Sequence, residues 1–179
     1  MAVRTEKEFT FETLQQVAQK MAVAARTAPK GRGRDNMVCA LVDGEDLVKI
    51  SKKMHEIGDR VDMHAFIRDA QNIQDADVVL LLGTKIRSTD LKKCGMCGFE
   101  NCEKKNQHPD IPCVFNTGDL GIAIGSAVAV AMDHRVDNRI MYTIGQAVLE
   151  IGLFDADVRI VYGIPLSATA KNPFFDRKK

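Results

Sequence analysis

The hydrophobic positions near the start of the chain recur three and four residues apart, which predicts an amphipathic helix. The helix begins with the spacing of a capping box, in which Thr5 stands three residues before Glu8. It ends at a loop over residues 27–36, which is rich in glycine and arginine. The apolar face consists of Leu14, Val17, Ala18, Met21 and Ala25.

Three short apolar runs predict β-strands. The first is 37–42, which is followed by the turn pair Asp43-Gly44, and the last is 158–162. The run 78–82 is apolar at every position, which is typical of a central strand buried on both faces. We expect the segment after Gly163 to be irregular.

Further helical spacing lies between these strands. Leu47, Ile50, Met54 and Ile57 mark a second helix, residues 63–70 a third, and Ile140, Ile144, Ala147, Val148 and Ile151 a late one. Residues 119–132 predict a helix that is apolar on most faces, and such a helix is buried in the protein or in a dimer. The pattern predicts one α/β (α+β) domain over residues 1–179, with three layers around a small sheet.

Composition and charge disfavour two classes of function, nucleic-acid binding and membrane insertion. The 179 residues carry a net charge of +1, and no tryptophan is present, so neither bulk charge nor aromatic platforms favour nucleic acid. The longest apolar run, 118–132, is shorter than the roughly 20 residues of a membrane span and contains glycines. No secretory signal is evident, so we expect a cytoplasmic protein without a membrane partner.

Four closely spaced cysteines indicate a metal-binding site. Cys94, Cys97, Cys102 and Cys113 follow the spacing C-x2-C-x4-C-x10-C, enough thiolates to complete one four-coordinate metal centre. Thiolate-only sets select zinc or iron–sulfur clusters. Glycines follow the first two cysteines, and their backbone freedom lets the chain approach a cluster closely. We predict a 4Fe–4S cluster within a cysteine-rich segment at 90–116.

Two other interpretations of the cysteines stay open. Disulfides are disfavoured because cytosolic thiols remain reduced. A structural zinc site in a non-enzymatic interaction protein is the alternative function, and His108 could then replace a thiolate. Cys39 stands alone in an apolar run and is predicted to be a structural thiol.

Two further segments could bind a ligand. The loop after the first helix combines four cations with flexible backbone, as a phosphate requires, although a solvated basic loop explains it equally well. The C-terminal tail could close over the same pocket. The residues predicted to bind a phosphate-bearing cofactor are Arg26, Lys30, Arg32, Asn36, Ser167, Lys171 and Arg177.

These motifs resemble two families. Ala28-Pro29 with Lys30, the segment D-L-G-I-A from Asp119, and G-I-P from Gly163 are similar to marks of the nitroreductase-like flavoproteins. Over nearly the whole chain, R-T-A-P-K, the cysteine segment, H-R-V-D-N-R and the G-I-P-L-S…K-N-P-F-F-D-R tail resemble an uncharacterised family containing a ferredoxin-type domain. One departure from the flavoproteins is the N-terminus, which offers only Arg4 where they carry several arginines.

The resemblance implies a nitroreductase-like three-layer α-β-α fold, a 4Fe–4S site on the four cysteines, FMN as a second cofactor and a homodimer. The expected function is iron–sulfur electron transfer, coupled to FMN if the protein is an oxidoreductase and involving a redox partner protein. The segment 134–139 is interpreted chiefly as a helix start capped by Asp137 or Asn138. A sharper interpretation places His134 near a cofactor for proton transfer.

Overall fold

The computed structural model describes residues 3–175. The six helices in that range are α1 (Glu6–Thr27), α2 (Gly44–Val61), α3 (His64–Asn72), α4 (Cys102–Asn106), α5 (Val114–Asp133) and α6 (Tyr142–Ile151). The strands are β1 (Met37–Val42), β2 (Val78–Lys85), β3 (Asp137–Asn138) and β4 (Val158–Ser167).

The four strands form one antiparallel sheet in the order β1-β2-β4-β3. β2 is central, and seven of its eight residues are buried. Its side chains alternate between the two faces of the sheet, as the two-residue period of a strand requires. Val78, Leu80 and Leu82 face one core, and Val79 and Leu81 face the other.

Helices cover both faces, so the predicted three-layer α-β-α architecture is confirmed. α1 and α5 pack on one face, and α2, α3 and α6 pack on the other. The predicted buried face of α1 is confirmed in full, and the backbone N–H of Thr5 donates to the Glu8 carboxylate at the helix start.

Three local expectations are wrong. The strand β1 leads directly into α2, with Asp43 as N-cap, so Asp43-Gly44 is no separate turn. Residues 164–167 continue β4, so the irregular segment begins after Ser167 rather than at Gly163. Residues 137–138 form the short strand β3, and the cap of α6 is Met141. His134 is the C-cap of α5 and is exposed, and its part in proton transfer stays a prediction.

The proline in β4 explains why the sequence predicts only the first half of this strand. Proline lacks a ladder N–H and normally argues against a strand interior. Pro165 pairs with Val79 on the β2 side. On the other side the pairing is sparse, with a bridge at Gly163 and then the pairs of Leu166 and Ser167 with β3. The strand tolerates Pro165 because little pairing is lost there.

The apolar helix α5 is longer than the sequence predicts, and it is the one described helix whose length and composition would allow it to cross a membrane, with a mean hydropathy of 1.4. The expectation that no run approaches such a span is therefore wrong. Leu120, Ala123 and Ala127 pack into the core beside α1. One third of its apolar window is buried, which leaves a broad apolar face uncovered.

Candidate metal centre

The cysteine segment leaves the sheet at the end of β2 and returns to the core at α5. Cys94 and Cys97 lie in the irregular chain between them, Cys102 opens α4, and Cys113 is the N-cap of α5. All four cysteines line the same small pocket. The structure therefore brings together the four cysteines that were predicted to act as one set.

The backbone between the first cysteines turns as predicted. Gly95 and Gly98 both adopt positive φ, 91° and 87°, which side-chain-bearing residues rarely adopt. The N–H of Gly98 donates to the Gly95 carbonyl at 3.0 Å, closing a tight turn around Cys97. These two glycines fold the segment so that successive thiols reach the same cavity.

Cys113 is held most firmly of the four. It is buried, and its sulfur lies 3.6 Å from the Thr89 hydroxyl. Burial raises the pKa of the Cys113 thiol, but hydrogen bonds from the Thr89 side chain and from backbone N–H groups of Thr89, Phe115 and Asn116 outweigh it and lower the pKa. The thiolate form, which is the metal-binding form, is thus favoured at this position.

All five cysteines are free thiols. Among residues 3–175 no three or more Cys, His, Asp or Glu side chains lie close enough together to hold a single metal ion. The cysteines surround a cavity rather than meet at a point. His108 stacks on Phe99, with ring centroids 5.2 Å apart. Cys39 lies half-buried on β1, where burial raises the pKa of its thiol.

The basic loop binds protein groups rather than open solvent. Lys30 donates to the carbonyls of Ala25, Arg26 and Ala28 at 2.7–3.2 Å. An ammonium at this position satisfies the last carbonyls of α1 and the negative end of its dipole. Arg26 pairs with Asp35 at 2.6 Å and donates to the Met37 carbonyl.

Two other loop cations tie the loop to the cysteine segment. Arg32 donates to the carbonyls of Thr89 and Asp90, and Arg34 pairs with the Asp90 carboxylate at 2.9 Å. The Arg34 hydrogen bond lowers the pKa of Asp90. Nearby, the N–H of Gly31 donates to the carboxylate of Asp119, in the second turn of α5, at 3.0 Å. The basic loop therefore anchors both chain segments that enclose the cavity.

The residues predicted to bind the phosphate-bearing cofactor do not form one group. Arg26, Lys30, Arg32 and Asn36 lie near the end of β2 at Lys85, since the Asn36 carbonyl accepts from the Lys85 N–H. Ser167 lies next to the Val78–Leu166 pair, at the other end of the sheet. At about 3.3 Å per residue these ends are roughly 23 Å apart. Lys171 lies in the exposed C-terminal segment, and Arg177 lies outside the described residues.

Ser167 has a feature that its sequence position could not show. Its side chain is buried, and its hydroxyl has no hydrogen-bond partner among the described residues. Sequence reasoning also did not predict that Thr89, Asp119 and Lys105 lie around the cysteine pocket. Lys105 follows Cys102 within a run of charged residues, and nothing in the sequence separates it from the exposed Lys104.

The three-layer arrangement is that of the nitroreductase-like flavoproteins. The chain is similar to a nitroreductase with bound FMN from Desulfitobacterium hafniense, at 14% identity and a TM-score of 0.60, covering 96% of this chain and 83% of that one. It is also similar to a BluB-like flavoprotein from Clostridium difficile, at 19% identity and a TM-score of 0.53, covering 92% and 85%. Likeness at such identities establishes the fold.

The sequence comparison establishes the family. A protein of Archaeoglobus fulgidus, described as an uncharacterized protein, is 44% identical over 179 residues and 96% of each chain. Residues 110–177 match a family described as uncharacterized protein containing a ferredoxin domain. The chain belongs to the same family as the Archaeoglobus fulgidus protein. The matched range begins after Cys94, Cys97 and Cys102 and includes only Cys113 of the four cysteines. The grouping of the other three with Cys113 rests on the pocket described above.

Proposed function

We propose that the protein is a redox protein that holds a 4Fe–4S cluster on Cys94, Cys97, Cys102 and Cys113. The observation that carries this proposal is the one small pocket that all four cysteines line. A redox role agrees with the ferredoxin-domain family and with the flavin oxidoreductase fold. A bound cluster supplies one-electron transfer.

The residues around the cavity fit such a group. A cluster takes each thiolate on a different iron, so its ligands surround a volume, whereas zinc requires four sulfurs within about 2.3 Å of one point. Backbone N–H groups and the Thr89 hydroxyl hold Cys113 as an acceptor of hydrogen bonds. Arg32 and Arg34 fix the segment that carries Thr89, so the cavity wall is preorganised before any metal enters.

Metal analysis with an absorption spectrum of anaerobically purified protein tests the proposal. We expect iron and acid-labile sulfide in equal amounts and broad absorption near about 400 nm, because thiolate-bound iron is coloured while d10 zinc is colourless. A colourless protein with stoichiometric zinc would replace this proposal with a structural zinc site. A protein that contained neither iron nor zinc would contradict both the cluster proposal and the zinc alternative.

FMN as a second cofactor is the finer part of the proposal. It is favoured by the fold, since similar structures are described as containing FMN. A flavin would exchange electrons with the cluster because it passes between one- and two-electron chemistry. Lys30 and Arg32 now contact protein carbonyls, so a flavin phosphate in this loop must compete with those contacts. Within one protomer Ser167 lies too far along the sheet to share that ligand.

We also propose that the protein is a homodimer, with a second copy covering α5. Its exposed face carries Gly118, Gly121 and Gly125, with open space above each, beside the half-exposed Ile122 and the exposed Met132. Small residues allow another backbone to approach closely, and an uncovered apolar face of this kind is unusual on a monomer. The redox partner protein stays a prediction, and Met96, which is 69% exposed beside the cysteine cavity, marks the side from which it would approach.

A further inference from the structure

The charges of this protein are unevenly distributed, and a positive surface lies beside the cysteine pocket. It combines the basic loop over residues 26–36 with residues 87–93, which lead directly to Cys94. These two stretches, termed the basic face, hold seven cations and two acids, a net charge of +5. The whole chain carries +1, so the remaining residues carry −4.

Hydrogen bonds join the two stretches of the basic face into one surface. Arg32 donates to the carbonyls of Thr89 and Asp90, and Arg34 donates to the Ser88 carbonyl at 3.1 Å. Ser88 and Thr89 also line the cysteine pocket. The positive charge is therefore held against the wall of the proposed redox centre.

Both acids of the basic face are neutralised by its own cations. Asp35 pairs with Arg26 at 2.6 Å, and Asp90 pairs with Arg34 at 2.9 Å. These ion pairs cancel two of the seven positive charges within the face. The excess charge therefore comes from the other five cations.

Two of those five cations are engaged with other groups. Lys30 donates to carbonyls at the end of α1, and Arg87 pairs with Asp157 at 3.2 Å. The cations of the face that are exposed and form no ion pair with any residue in the range 3–175 are Arg32, Lys92 and Lys93.

An apolar side chain accompanies these exposed charges. Met96, in the turn between the first two cysteines, is 69% exposed. Protein–protein interfaces combine an apolar centre, in which methionine is enriched, with a polar rim. Charges at such a rim act over about 10 Å at 0.1 M salt and attract partners of opposite sign.

We propose that the basic face docks an acidic electron-carrier protein, which delivers one electron to the four-cysteine centre. The inference rests on the proposed function and names the chemistry of its redox partner. One electron leaves the reduced carrier and enters the centre, and no covalent bond forms or breaks. Complementary charge steers the carrier to the surface beside the cysteines and raises its association rate.

Binding is measured with two carriers of opposite charge, an acidic flavodoxin and a basic c-type cytochrome. At low salt the wild type should bind the flavodoxin at least about tenfold more tightly than the cytochrome, and salt of about 0.3 M should remove most of this preference. Transfer from reduced flavodoxin to the iron-loaded protein, followed by stopped-flow absorption, should slow with salt in the same way.

Charge reversal places the docking site. Lys92→Glu combined with Lys93→Glu should weaken flavodoxin binding at low salt by at least about tenfold, because two attractive charges become repulsive. Lys92→Arg with Lys93→Arg should retain binding. Lys92→Gln with Lys93→Gln, which adds no negative charge beside the cysteines, should give an intermediate loss at full iron content.

The matched control is Lys7→Glu combined with Lys52→Glu. It makes the same change in net charge at two exposed positions, near the start of α1 and on α2, and should alter binding by less than about twofold. Equal losses in the control and in Lys92→Glu with Lys93→Glu, or no loss in either, would overturn the inference and leave the cluster proposal intact.

Nucleic acid is the competing polyanion for the basic face. A single-stranded DNA oligomer should bind more weakly than the flavodoxin, because the chain has no tryptophan and only two tyrosines to stack on bases. Tighter binding of the oligomer, lost in Lys92→Glu with Lys93→Glu, would overturn the inference. Purified protein without iron would contradict the proposed function and the electron transfer with it.

Discussion

Gly145 of α6 lies directly against the carbonyl of Val161 in β4. A Cβ built on Gly145 would come closer to that oxygen than any real Cβ comes to a neighbouring backbone atom. The absence of a side chain at this position lets the helix pack onto the sheet, and Gly163 makes a similar close approach to Ile144 from the strand side.

Gly145→Ala is therefore expected to destabilise the protein by about 3 kcal/mol or more, because overpacking against backbone forces α6 away from the sheet. Urea unfolding followed by circular dichroism measures it. The matched control is Gly118→Ala in α5, where space is open, and its effect on the monomer should be neutral or stabilising by up to about 1 kcal/mol. Equal behaviour of the two variants would mean that α6 does not lie this close to β4.

The metal ligands can be separated from the lone thiol. Cys97→Ser should lose most of the bound iron, because one hydroxyl substitutes poorly for a soft thiolate. Cys39→Ser is the control, since Cys39 lies on β1 away from the cavity, and it should retain full iron content. Iron analysis and absorption measure both, and full iron in Cys97→Ser would show that the ligand set is wrong.

The dimer has its own pair of variants. Gly121→Asp places a charge on the exposed face of α5 and should convert a dimer to a monomer in light scattering at micromolar concentration. Val48→Asp is the control, because Val48 is 67% exposed on α2 in the opposite layer. A monomeric wild type, or a Gly121→Asp variant that remains dimeric, would place the interface elsewhere.

Acid stability should depend on Asp35. Burial raises the pKa of this carboxyl, but hydrogen bonds from Arg26 and the Met37 N–H and the charges of Arg26 and Lys30 lower it below its usual 3.8. The stabilisation is present above pH 3.8 and is lost as the pH falls through the lower folded-state value. Asp35→Asn should thus reduce the free energy of unfolding at pH 7, by less than about 1 kcal/mol since the pair is partly exposed.

That difference should shrink when unfolding is measured near pH 3, where the wild-type carboxyl also begins to lose its charge. Asp59→Asn, on the exposed side of α2, controls for general charge effects. A difference between Asp35→Asn and the wild type that stayed constant from pH 7 to pH 3 would contradict the role of this ion pair.

The flavin proposal predicts a preference for phosphate. FMN should bind at least about tenfold more tightly than riboflavin, because each charge-assisted hydrogen bond to the phosphate is worth roughly 1.5–3 kcal/mol. Titration followed by flavin fluorescence measures both affinities. Equal affinities for FMN and riboflavin would show that the basic loop does not bind the phosphate. If neither flavin bound, the iron–sulfur cluster would be the one cofactor still proposed.

Much of the scaffold was determined by the sequence. The buried face of α1, the bounds of β1 and the doubly buried β2 follow from periodicity alone, because side-chain spacing decides which face can leave water. The cysteine spacing and the two glycines likewise predicted a turn that gathers thiols, and the positive φ of Gly95 and Gly98 confirms it.

Only the tertiary structure decided what the charged residues do. A sequence shows four cations in one loop but not that Lys30 caps α1 or that Arg32 and Arg34 hold the cavity wall, since those partners are carbonyls and an acid from other segments. In the same way Pro165 could occupy a strand because its neighbour is short, and Lys105 differs from Lys104 only in the direction it faces. Burial and pairing depend on contacts between distant segments, and local spacing does not encode them.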